Sequence, residues 1–260
     1  MTPGESMSGV RLDRDGPVAT ITLDRPDALN AQTPDTWAAL AAIGRDLPGD
    51  VRVVVVRGEG RAFSAGLDKS VFAGQRSGDA PTFAELAAMA EDDCDAVIAG
   101  YQSAFTWLRR PALVSIAAVQ GHAIGAGFQL ALACDLRVLA DDAQFSMAET
   151  TLGLVPDLTG TKPLVSLVGE STALEICLTG RRVGAEEAQR IGLASLVVPR
   201  ADLTAAVHDL TAALLAPPRD AVTETKALIT GARQRSHAEQ EAAERAAQGR
   251  RLRDLAGLGE

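Results

Sequence analysis

Alternation of apolar and polar positions first appears at Val18–Leu23 (VATITL), a β-branched stretch whose pattern predicts a half-buried strand. Thr33 followed by Pro34 joins a capping hydroxyl to a first-turn proline, so a helix is predicted through DTWAALAAIGRDL. Residues 51–58 (VRVVVVRG) are instead continuously apolar, as a strand covered on both faces must be. Strand, helix and strand in that order predict a layered α/β domain. A second buried strand is predicted at 112–119 (ALVSIAAV), then a glycine-rich turn and a helix over 126–134. LRVLA and AQFSMA read as short strands, and ETTLGLVPDLTGT as a loop of turn formers.

Between 77 and 100 stand six acidic residues and no basic one. The pattern there predicts a polar loop entering one helix that runs to Arg110 with a solvated acidic face. Helices are then predicted at 162–168, 171–178, 185–192, 201–215 and 220–255, punctuated by Gly180, Gly192 and Pro217–Pro218. The expected layout is an α/β core over 1–200 followed by a helical C-terminal section over 201–260.

Composition narrows the function classes. With 260 residues, 47% of them hydrophobic, the chain can bury a large core without staples. A net charge of −9 argues against nucleic-acid binding. Three scattered cysteines and no CxxC make no disulfide framework, and no leader or membrane-spanning run is read, so a cytoplasmic home is expected. The three histidines lack ligand spacing, and no metal is expected.

The cluster Gly121-x-x-x-Gly125-x-Gly127 follows a strand and opens a helix, a setting suited to an anion. A dinucleotide-dependent dehydrogenase is disfavoured, since the cluster lies mid-chain and no Tyr-x-x-x-Lys exists. The one tyrosine is Tyr101, and the residue four later is Phe105. A second glycine-bearing turn, Arg61-Ala-Phe-Ser-Ala-Gly-Leu-Asp68, suggests a different use. Two strand-end turns of small residues can each offer a main-chain N–H to one oxygen, forming an oxyanion hole. Either turn alone would read as a tight bend and nothing more.

These residues carry a resemblance. LDRPDALN at 23–30, AFSAGLD at 62–68, GHAIGAGFQLALACDLRVLA at 121–140, AQFSMAETTLGLVPDLTGT at 143–161 and GRRVGAEEAQRIGLASLVV at 180–198 resemble, in order, the motifs of the crotonase (enoyl-CoA hydratase/isomerase) superfamily. The resemblance implies a crotonase-like spiral of ββα turns whose helical C-terminal section mediates trimers, often paired into hexamers. It implies an acyl-CoA substrate, with coenzyme A arriving as part of the thioester and no separate cofactor.

Carried over by position, the oxyanion donors fall on Ala65 and Ala126, and the principal catalytic acid on Glu149. Gln129 stands where two-acid hydratases have a second glutamate, and an amide cannot exchange a proton at neutral pH. Single-acid isomerisation by Glu149 is therefore favoured over hydration. Asp157, eight residues past Glu149, resembles the acid of the dienoyl-CoA isomerase branch; it reads equally well as a turn residue in VPDLTG. Arg25, Ala28, Ala65, Gly66, Leu67 and Asp68 are the implied CoA-binding positions. Lys226, in a C-terminal stretch less acidic than the rest, is a further candidate phosphate partner, the alternative being a solvated helix residue. A catalytically weak acyl-CoA-binding protein is the alternative from another class. Buried apolar neighbours should raise the pKa of Glu149.

Overall fold

The computed structural model describes residues 6–258. A seven-stranded sheet has the order β1 (Ser6–Met7), β2 (Val10–Asp15), β3 (Val18–Leu23), β4 (Val53–Gly58), β5 (Val114–Val119), β7 (Leu136–Ala140), β10 (Leu196–Val198). The first three strands pair antiparallel, and β3 onward pair parallel. A three-stranded sheet joins β6 (His122–Ile124), β8 (Gln144–Ser146) and β9 (Val183–Gly184). The chain spirals between the two. β5 enters the first sheet, β6 the second, and helix α5 (Ala126–Ala133) returns the chain to β7; β7 and β8 repeat the step. The mixed α/β architecture and the ββα spiral are those expected from the sequence.

Local chemistry explains the elements. Helix α1 (Pro34–Asp46) begins in a capping box between Thr33 and Thr36. In β4, Val54 and Val56 face the main core, while Val53 and Val55 face a second cluster with Ile116, Ala118 and Val138. Helix α9 (Leu203–Leu215) closes that second face with Leu203 and Val207. The packed core therefore runs past residue 200. Beyond it, α10 (Arg219–Gly231) and α11 (His237–Leu255) pair with each other.

Two local expectations are corrected, and one strand is added. The helix expected up to Arg110 is split into α3 (Phe83–Ala88) and α4 (Glu91–Thr106), because Met89 and Ala90 are extended. The long terminal helix is broken where Arg235 is extended and Ser236 starts a new capping box with Glu239. Strand β2 was missed because charges interrupt its pattern; it pairs along its whole length with β3. The remaining helices are α2 (Lys69–Phe72), α6 (Thr161–Val168), α7 (Glu170–Thr179) and α8 (Ala185–Arg190). No helix among the described residues is long and apolar enough to cross a membrane.

Candidate active site

The two glycine-bearing bends are stitched side by side. The Phe63 N–H donates to the Gln120 carbonyl at 2.8 Å, Ser64 N–H to His122 O at 2.8 Å, and Ile124 N–H to Ser64 O at 3.0 Å. Gly66 has φ +87°, and a Cβ there would lie 2.5 Å from the Ile124 oxygen, so only glycine admits this approach. Beneath the first bend lies a saturated polar network. Ser64 Oγ donates to Asn30 O at 2.8 Å and accepts from Gln32 Nε2 at 3.1 Å; the Trp37 indole holds Gln32 in turn. Asn30, left-handed at φ 54°, donates to the Glu59 and Ala62 carbonyls and so ties the LDRPDALN turn to the end of β4.

This network corrects one expected donor. The Ala65 N–H is spent on the Leu29 carbonyl at 2.9 Å, the Gly66 N–H on Ser64 Oγ at 3.2 Å, and the Asp68 N–H on Gln32 O at 2.8 Å. Over 63–68, Leu67 alone has an N–H with no partner among the described residues. From the other bend comes Ala126, the first residue of α5, whose N–H likewise has no such partner and adjoins Gly66. A helix N-terminus leaves such groups free and adds its positive end. Ala126 thus has its N–H free, whereas the Ala65 N–H is committed and Leu67 offers one in its place. The sequence signal was the position just after the glycine, where the backbone turns its N–H outward.

Glu149 reaches the same place through the second sheet. Parallel pairing of β6 with β8 and a bond from Gly125 N–H to Ser146 O at 2.8 Å set the chain three residues before it. Its carboxylate lies against Gly125, Oε1 3.3 Å from where a Cβ would be. The side chain is 9% exposed. Gln129, 1% exposed on α5, donates from Nε2 to Glu149 Oε1 at 2.7 Å. Its own Oε1 accepts from the Leu158 N–H at 2.8 Å and the Gly160 N–H at 3.2 Å, which fixes the amide with its donor toward the carboxylate. Glu149 Oε2 is buried with no partner among the described residues. Burial pushes the Glu149 pKa up and the nearby Asp157 charge adds to this, while the Gln129 bond opposes both.

Asp157 faces the same cavity, half-buried, and burial raises its pKa too. Its backbone carbonyl accepts from Gln102 Nε2 at 2.7 Å, and its own backbone N–H opposes the rise, while no other described residue donates to its carboxylate. The cavity measures about 370 Å³ and is largely apolar, walled by Trp37, Phe72, Phe83, Ile98 and Leu158, with Tyr101 among its polar members. Ala65, Gly66 and Leu67 line it as well.

On its other flank the first bend borders a polar cleft of about 510 Å³ lined by Arg25, Asp68, Ser70 and Arg76. Arg25 pairs with Asp68 at 2.8 Å and donates to Ala31 O at 2.7 Å. Burial alone would raise the Asp68 pKa, yet hydrogen bonds from Ser70 and Arg25 hold it below the ordinary carboxylate range. Ala28 closes the short 3₁₀ turn Pro26–Ala28 next to Arg25. A larger cavity, about 640 Å³, lies under α9 and holds none of the expected site residues.

Lys226 is the other correction. It is buried, and its Nζ donates to Arg110 O at 2.8 Å, Leu113 O at 2.7 Å and Asp135 Oδ2 at 2.6 Å. All three ammonium protons are used, leaving none for a phosphate. The sequence placed it on a helix but gave no sign that the helix turns this residue inward.

The profile of the enoyl-CoA hydratase/isomerase family matches residues 13–253. A probable enoyl-CoA hydratase of Mycobacterium bovis is 35% identical over 75% of this chain and 70% of its own length. A carnitinyl-CoA dehydratase of Escherichia coli is 38% identical over 79% of this chain and 74% of its own. Among solved structures, a Thermobifida fusca protein assigned as an enoyl-CoA hydratase, in complex with CoA, superimposes with a TM-score of 0.91. It is 52% identical, covering 96% of this chain and 95% of that one. The same protein has been solved with acetoacetyl-CoA.

Proposed function

The chain belongs to the enoyl-CoA hydratase/isomerase family and is an enzyme of the lyase or isomerase kind, and from that premise we propose that it moves a double bond along an unsaturated acyl-CoA. The reading rests on one observation. Two unpartnered N–H groups, of Leu67 and Ala126, come from adjoining bends beside a buried glutamate whose Oε2 is unpartnered.

The thioester oxygen accepts from both N–H groups, which stabilise the charge that gathers there as a proton leaves the neighbouring carbon. One such donor contributes roughly 3–4 kcal/mol to an oxyanion. Glu149 Oε2 takes the proton from C2 of a 3-enoyl-CoA, giving a dienolate, and returns it at C4. The double bond then lies between C2 and C3, and no other reactant is consumed. Gln129 holds Oε1 as an acceptor, so the proton rides on Oε2. Burial makes Glu149 a stronger base than an exposed carboxylate, which suits it to taking and returning the proton. The CoA portion follows the first bend, passing Gly66, into the polar cleft, its phosphates near Arg25 and Arg76 with Asp68 alongside and Ala28 in the adjoining turn. The α10–α11 pair supplies the trimer contact usual in the family.

Hydration of a 2-enoyl-CoA is a second reading, drawn from the names of the relatives. An ultraviolet assay offering 2-enoyl-, 3-enoyl- and 3,5-dienoyl-CoA separates the reactions. The expected result is turnover of the 3-enoyl ester, lowered about a thousandfold in Glu149→Gln. Turnover indifferent to that substitution removes the mechanism. Tight CoA-ester binding with no turnover would make the chain a binding protein instead.

A further inference from the structure

The acyl cavity holds more polar chemistry than double-bond migration uses. Tyr101, the chain's one tyrosine, lies on α4 in the cavity wall. Its hydroxyl is buried without a hydrogen-bond partner among the described residues, although a buried phenol ordinarily finds one. The ring is fixed against Trp37, with centroids 4.9 Å apart, and Trp37 cannot serve a ligand because its indole N–H is committed to Gln32. Beside it stands Asp157, whose backbone is fastened to the next residue of α4, Gln102. The Asp157 charge is near enough to add to the upward push that burial gives the Tyr101 pKa. No lysine, arginine or histidine lines this cavity. A bare hydrocarbon tail would leave the carboxylate and the phenol desolvated and unpaired, and an anionic tail would meet two carboxylates and no cation.

Resting on the acyl-CoA reading above, we propose that the natural acyl group carries a hydrogen-bond donor, a hydroxyl or an ammonium, beyond the reacting carbons, received by the Asp157 carboxylate and the Tyr101 hydroxyl. Both residues then set specificity by holding the substituent, and neither moves the migrating proton.

Calorimetric titration with saturated esters tests this without any turnover. Hexanoyl-CoA, ω-hydroxyhexanoyl-CoA, ω-aminohexanoyl-CoA and adipoyl-CoA are compared on the full chain. The expected result is that the hydroxy or amino ester binds about tenfold tighter than hexanoyl-CoA. Adipoyl-CoA binds most weakly. The tighter of the two favoured esters identifies the donor as neutral or cationic. Tyr101→Phe and Asp157→Asn should each bring the ratio of favoured to plain ester toward one. Equal binding of plain and substituted esters by the unaltered protein overturns the proposal and leaves the acyl-CoA reading standing, as does a ratio that survives both substitutions. Failure of every CoA ester to bind overturns both.

Discussion

Two buried ionisable groups in this chain are treated in opposite ways. Lys226 has each of its three protons on an acceptor, and its Asp135 partner also accepts from the Ser115 N–H at 2.8 Å and hydroxyl at 3.1 Å. Glu149 has one oxygen held by Gln129 and the other held by nothing. Burial pushes both away from their charged forms, Lys226 downward and Glu149 upward. The first group is satisfied by its own fold and braces α10 against the loops that lead into β5. The second is left incomplete, and a folded protein keeps such a group where something else is to complete it.

The largest effect expected from breaking this contrast is on stability. Lys226→Ala strands the Asp135 charge and should cost about 3–5 kcal/mol in chemical denaturation, because removing one member of a buried pair leaves the other uncompensated. Enzyme that remains folded should keep its kcat. Lys226→Met combined with Asp135→Asn should lose less than Lys226→Ala alone, since no buried charge is then orphaned. A collapse of kcat out of proportion to unfolding would place Lys226 at the site after all.

A smaller effect is expected at Gln129. Its bond lowers the Glu149 pKa, and Glu149 must be ionised to take a proton, so activity falls as pH drops through that pKa. Gln129→Leu removes the bond, and the acid limb of the kcat/KM profile should move to higher pH. The same substitution strands the Leu158 and Gly160 N–H groups, so a loss of roughly 1–3 kcal/mol should accompany it. An acid limb that stays in place would mean Gln129 serves the loop over 157–160 and has no hold on the base.

How far the sequence reaches depends on how local the cause is. Val53–Val56, the Thr33–Pro34 helix start and the buried α5 were legible because each follows from neighbours along the chain. The neighbourhood of Glu149 and Gln129 was legible through motif resemblance. The donor in the first bend was misplaced by two residues, because what spends the Ala65 N–H is a carbonyl from Leu29, far back in the chain. Lys226 was misread for the same reason, its partner Asp135 lying 91 residues away. Tyr101 had served only to exclude a dehydrogenase; its unpaired hydroxyl becomes visible when α4 is seen packed beside the loop carrying Asp157.

The smallest predicted effect has the most telling sign. Glu149 has its pKa raised by folding, so the fold favours the protonated acid and holds the carboxylate at a cost. That cost is absent below the ordinary glutamate pKa, grows as pH rises toward the raised value, and is fully present above it. Glu149→Gln keeps the shape and the Gln129 contact but removes the charge. At neutral pH it should stabilise the protein by about 1 kcal/mol, a Tm increase of roughly 2–4 °C for a chain of this size. The gain should vanish in thermal melts run below pH 4, where the native glutamate is itself neutral. Substituting the satisfied charge thus lowers the Tm and substituting the incomplete one raises it. A Glu149→Gln protein that melts lower at neutral pH would mean this carboxylate supports the fold, and the contrast with Lys226 would be lost.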